Sequence, residues 1–120
     1  MKATSTYALL IYRATGREPT VADARRALAG HRALQSEASA RGELHAVAQL
    51  DSATKAKTVA FRGGAHAVTD GPYVETKEWL VGFYLVDCAS EEEALERARM
   101  ICPIGDHAIE VRPVAWRWTA

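Results

Sequence analysis

Apolar and polar positions along the chain switch between the period of strands and that of helices. Tyr7-Ala-Leu-Leu-Ile-Tyr12 is short and apolar on both faces, which predicts a central strand. Arg13 to Pro19 is a polar loop. Thr20 then reads as an N-cap with Asp23 in the capping-box position, opening a helix from Val21 to about Arg41. Val21, Ala24, Leu28, His31, Gln35 and Ala38 follow the three-four spacing of one helix face, with Leu34 at its edge. Gly42 ends the helix, and Arg41 suits the negative end of its dipole.

From Glu43 to Leu50 the period drops to two. Leu44, Ala46, Ala48 and Leu50 share one face; His45, Val47 and Gln49 share the other. Asp51 to Ala56 is a loop. Lys57–Arg62 and Ala65–Thr69 flank Gly63-Gly64, a two-residue hairpin signal. Asp70-Gly71-Pro72-Tyr73 is a turn, followed by charge packed into Glu75, Thr76, Lys77 and Glu78. From Trp79 to Val86 there is no charge, which predicts a buried strand. A polar turn feeding a buried strand fixes reactive groups on a rigid element. Ser90 with Glu93 makes a second capping box, for a helix that turns Ala94, Leu95, Ala98 and Ile101 inward and stops before Pro103. Asp106 to Val114 gives a last alternating strand, with Ile109 and Val111 on one side and Glu110 and Arg112 on the other.

The order strand, helix, strand, hairpin, strand, helix, strand holds two split strand-helix-strand units. It predicts an α+β, ferredoxin-like sandwich: an antiparallel sheet with two helices on one face and an inserted hairpin, as one domain over residues 1–120. Two helices cover one face only, whereas two of the strands are apolar on both. A homodimer packed through sheet faces, of dimeric alpha-beta barrel type, is therefore expected. A small barrel or partly closed sheet is the other reading.

Composition narrows the function classes. Of 120 residues 48% are apolar, enough for a single core, and fifteen charges of each sign cancel. Neutrality argues against a nucleic-acid footprint and lends no support to membrane-surface binding. The N-terminal apolar run is too short to span a membrane and has no cleavage pattern, so a cytoplasmic location is expected. Cys88 and Cys102 read as free thiols.

The segment DGPYVETKEWLVGFYLVD, starting at Asp70, resembles the signature of the YCII-related family in its DGPF subgroup, which reads DGPF-x-ETKE before a Gly-Phe-Tyr strand. Tyr73 stands where the subgroup has Phe. The opening YALLIY and closing AIEVRPV are similar too, so the likeness covers almost the whole chain. It implies a ferredoxin-like, usually dimeric bacterial protein. It also implies small-molecule chemistry by a His–Asp pair in a cleft, as in muconolactone-isomerase-like folds. For some members it implies association with extracytoplasmic-function sigma factors. The family's His lies on the first helix, where His31 stands; Asp70 of the DGP motif is the candidate partner.

His31 and Asp70 are the expected catalytic pair, a His oriented by a carboxylate being a general base near neutral pH. The structural alternatives are a core His satisfied by the backbone and a turn Asp accepting an N–H. Gly30 costs about 1 kcal/mol relative to Ala inside a helix, which implies close approach of another backbone or room for a ligand. Tyr73, Glu75, Lys77 and Arg112 are candidate substrate-binding residues. Tyr73 otherwise serves as a lid over the core, and Glu75 and Lys77 as a solvated edge. Arg112 is expected to pair with another strand rather than with Glu110. His45, His66 and His107 lack ligand spacing, so no metal is expected, and no cofactor motif occurs. Two functions remain open: a cofactor-independent isomerase, lyase or dehydratase, and a non-catalytic ligand-binding or regulatory module. An RNA-binding sheet lacks its basic and aromatic signature.

Overall fold

A computed structural model describes residues 4–14, 20–73, 78–103, 105 and 107–118. The elements are β1 (Ser5–Ala14), α1 (Val21–Ala40), β2 (Leu44–Gln49), a 3-10 turn (Ala53–Lys55), β3 (Lys57–Arg62), β4 (Ala65–Asp70), β5 (Glu78–Cys88), α2 (Glu91–Met100) and β6 (His107–Pro113). The main sheet runs β2-β5-β1-β6 with every neighbour antiparallel. This is the ferredoxin-like α+β order, with the β3–β4 hairpin inserted as a separate two-stranded sheet. No helix among the described residues is long and apolar enough to cross a membrane.

Both expected N-caps form. The Asp23 N–H donates to Thr20 Oγ1 at 3.0 Å, and the Glu93 N–H donates to Ser90 Oγ at 3.1 Å. At the end of α1, Gly42 N–H reaches Ser39 O at 3.0 Å and Glu43 N–H reaches Ala38 O at 2.8 Å, the paired bonds of a Schellman stop. Gly63 and Gly64 both take positive φ, 60° and 81°, which a right-twisted two-residue hairpin requires.

Cross-strand register assigns the two faces of the sheet. Leu9, Ile11, Tyr84, Val86 and Cys88 face the helices and form the core with Leu34, Ala38, Ala94 and Ile101. The opposite face carries two apolar rows, Ala46–Leu85–Ala8 and Ala48–Phe83–Leu10, that end in Arg112 and Glu110. Gly82 lies under β2, where an added Cβ would sit 2.8 Å from the Ala48 carbonyl oxygen. Gly30 admits the end of α2, and a Cβ there would fall 1.9 Å from Met100 O. The cost of a helical glycine is thus explained by backbone contact.

Two expectations are corrected, and one buried charge is added. Leu34 and Ala38 are the buried centre of α1, while Val21 is 72% and Leu28 49% exposed. The inward stripe is Ala27, Gly30, His31, Leu34 and Ala38, and most of the first two turns of α1 is exposed. In β2 the register slips between Leu44 and Ala46, so Leu44 joins the helix side while Ala46 and Ala48 face away. In α2 the buried face includes Arg97, 1% exposed. Its guanidinium reaches Glu43 at 2.6 Å, Glu37 and Glu93 at 3.5 Å, and the Asp87 carbonyl at 2.7 Å. Burial works against that charge, but the Glu43 carboxylate, and then Cys88, hold the Arg97 pKa above its ordinary value.

Candidate functional site

β4 ends at Asp70, and the turn that follows is pinned to the loop after β2. Gly71 N–H donates to Ala56 O at 2.8 Å, and Thr58 Oγ1 donates to Gly71 O at 2.8 Å. Pro72 and Tyr73 are thereby held over a cavity of about 970 Å3. Tyr12, Leu50, Trp79 and Leu80 give it an apolar wall, and Asp51, Ser52, Lys55 and Glu78 supply polar groups at its margin. Lys55 Nζ and Asp51 Oδ2 are paired at 2.9 Å. That bond, then the Ser52 N–H, keeps the Asp51 carboxyl below its usual pKa. The size and the mostly aromatic and aliphatic lining suit a small organic ligand.

The expected site residues divide. Tyr73, 72% exposed, lines the cavity. Glu75 and Lys77 lie outside the described residues. Asp70 is paired with Lys57 across the base of the hairpin and is largely exposed. His31 points into the helix side of the sheet, where Nδ1 lies 2.7 Å from the Tyr84 hydroxyl and the two rings stack at 5.7 Å. Gln35 donates to the same hydroxyl at 3.1 Å. Burial, with the charge of His107 adding, lowers the His31 pKa, so the ring is neutral near pH 7; burial raises that of Tyr84. His31 and Asp70 thus have separate partners within one chain. Arg112 Nε lies 3.6 Å from Glu110 Oε2, so the expectation that these two could not pair is wrong. Side chains two apart on a strand share a face, and both are long enough to lean together.

Sequence reading missed a second polar constellation. At the slip in β2, His45 is the extra residue, and its side chain turns to the face away from the helices. There Nε2 lies 2.9 Å from Asp87 Oδ2. Thr6 Oγ1 donates to the other carboxylate oxygen at 2.6 Å, and Arg117 Nη2 lies 3.0 Å from His45 Nε2. Burial pushes the Asp87 pKa up, but the bonds from Thr6 and His45 and the nearby charges outweigh it, leaving it lowered. The four residues come from β1, β2, β5 and the tail after β6. From Pro113 that tail crosses three strand spacings, about 14 Å, to reach β2. Strict alternation puts His45 beside Val47 and Gln49, so only an anticipated bulge would have revealed this cluster.

Residues 5–119 match the YCII-related domain. An uncharacterised protein of Rhizobium meliloti is 45% identical over 85 residues, which cover 69% of this chain and 68% of that protein. With the ferredoxin-like sheet order and a family match over nearly its whole length, the chain belongs to the YCII-related family.

Proposed function

We propose that this protein, as a member of the DGPF subgroup, binds a small, largely apolar organic molecule in the cavity under the Asp70–Tyr73 turn. It acts on that molecule by proton transfer without a cofactor. The observation that carries the reading is the cavity of about 970 Å3 roofed by the motif that distinguishes the sequence. Tyr73 and Tyr12 supply hydroxyls, and Glu78 and Asp51 supply carboxylates, which suits acid–base chemistry on a bound molecule. In this reading Tyr73 binds substrate, and Asp70, tied to Lys57, holds the turn in place.

Titration with 1-anilinonaphthalene-8-sulfonate tests it. We expect saturable binding at one site per chain. Ala56→Trp, which fills the cavity and removes no polar group, should weaken it by about tenfold or more, equivalent to ~1.4 kcal/mol. Equal binding to both proteins overturns the reading.

The working form in this proposal is a homodimer in the cytoplasm. Its support is the pair of apolar rows on the uncovered sheet face, together with Phe61 on the hairpin and Trp116 and Trp118 on the tail, 67%, 77% and 73% exposed. A monomer at micromolar concentration in sedimentation removes it. The second reading, a non-catalytic module docking on an extracytoplasmic-function sigma factor, draws on the same two indoles. Their protection from acrylamide quenching in the isolated dimer would take that surface away from any other partner.

A further inference from the structure

We propose that the ligand of the cavity under the Asp70–Tyr73 turn is an organic cation, an ammonium group carried on an apolar body. This rests on the reading of the cavity given above and adds the chemical class of what fills it.

Two independent properties of the lining point to that class. The first is its rings. Tyr12, Tyr73 and Trp79 all border the space of about 970 Å3. They come from the end of β1, the pinned turn and the start of β5, so three separate segments each bring one ring to it. None of the three stacks on another ring among the described residues, which leaves their faces to a ligand. The face of an aromatic ring is negative, most strongly in Trp, and attracts a cation. Aliphatic walls alone would not distinguish an ammonium from its carbon isostere. A bare metal ion or ammonium would leave most of the space unfilled, whereas Leu50, Leu80 and Pro72 offer apolar surface to an organic body.

The second property is charge. The ionic side chains of the lining are Asp51, Glu78 and Lys55, two acids and one base among the described residues. That base is already compensated, because Lys55 Nζ is bound to Asp51 Oδ2 at 2.9 Å. The other Asp51 oxygen accepts the Ser52 N–H at 2.7 Å. These bonds hold the Asp51 carboxyl below its usual pKa, so it stays ionised through the neutral range. With that pair cancelled, Glu78 makes the lining negative by one. The adjoining stretches of sequence, 15–19 and 74–77, each contain one acid and one base and leave the sign unchanged. An anion would have to draw Lys55 away from Asp51, and a neutral molecule gains nothing from the charge. A cation is favoured by the rings and the carboxylates together.

Three phenols of similar size test this by calorimetry on the full chain: (3-hydroxybenzyl)trimethylammonium, its neutral isostere 3-neopentylphenol, and 3-hydroxybenzylsulfonate. We expect the ammonium to bind at one site per chain, about tenfold or more tighter than the neutral isostere, with the sulfonate weakest. Tyr73→Leu keeps an apolar roof and removes one ring. It should weaken the ammonium by about threefold and leave the neutral isostere unchanged. Glu78→Gln should narrow the preference for the ammonium, and added salt should then narrow it less than in wild type. Both side chains are exposed, so neither change threatens the fold. Neutral or anionic probes binding as tightly as the ammonium overturn the proposal. So does a preference for the ammonium that survives intact in both variants, or no ammonium binding at millimolar concentration. Ala56→Trp separates these failures from failure of the cavity reading. If it weakens the anilinonaphthalene dye, the cavity stands and only the charge class is wrong; if it leaves every probe unaffected, the cavity reading falls as well.

Discussion

Gly30→Ala isolates a single contact, that between α1 and the end of α2. The new methyl group would lie 1.9 Å from Met100 O and 3.0 Å from Met100 C. A carbon–oxygen contact settles near 3.3 Å, so the two backbones must separate by roughly 1.4 Å. Alanine gains about 0.8–1.0 kcal/mol in helix propensity. Overpacking costs about 1–3 kcal/mol, and the upper end applies because the obstructing atoms are backbone and have no rotamer to change. The net expectation is a loss of about 1–2 kcal/mol. For a chain of this length that lowers Tm by roughly 3–10 °C. Calorimetry on wild type, Gly30→Ala and the exposed helical control Ser36→Ala reads the effect, since the control gains propensity without meeting α2. A Tm for Gly30→Ala equal to or above wild type would show that the helices part freely, and the steric account of this glycine would fail.

Gly82→Val should cost about 1–3 kcal/mol, because its Cβ would press on the Ala48 carbonyl at 2.8 Å; urea melts should show a larger loss than for any single change in the run Glu75–Glu78. Glu43→Gln removes the closest carboxylate from a guanidinium that is 2% exposed, and should cost about 2–3 kcal/mol, less than a wholly unpaired charge because Glu37 and Glu93 remain near. His31 titrates lower in the folded chain than in the unfolded chain, so its contribution is full above pH 6.5 and is lost as pH falls through that value toward the depressed folded-state pKa. The pH dependence of stability below 6.5 should therefore flatten in His31→Gln, and an unchanged slope would assign it to another group.

How far the fold was legible follows from which signals are local. Caps, turn glycines and periods of 2 and 3.6 depend on residues within a few positions, so the order of elements and the ferredoxin-like sheet could be read directly. The side of α1 that is buried could not, because Val21 and Leu28 keep the spacing of a buried face and are nonetheless exposed. Nothing local marks Arg97 as buried; its burial depends on Glu37 and Glu43, more than fifty positions away. At the candidate sites, the motif at Asp70 marked the roof of the cavity, yet its walls come from three other segments. The inward direction of His31 was readable from its spacing, but its bond to Tyr84 depends on strand register. His45 depended on a one-residue slip with no sequence signal at all.

The helix side of the sheet and the uncovered side offer proton chemistry different conditions. On the helix side Arg97 is held by carboxylates, and His31 is kept neutral by burial against Tyr84. On the uncovered side the cavity and the His45–Asp87 cluster occupy the ends of the sheet, with the rows through Leu85 and Phe83 between them. Face-to-face packing of two copies would bury those rows and leave each end at the rim, open to solvent. Phe83→Glu puts a charge in the middle of that face. It should convert the proposed dimer to monomer in sedimentation, since a charge buried without a partner costs more than the packing of one ring returns. It should leave the His45 imidazole shifts unchanged in nitrogen-15 spectra, because Thr6, Asp87 and Arg117 all belong to the same chain as His45. A change in those shifts on dissociation would show instead that the second copy holds the cluster in place.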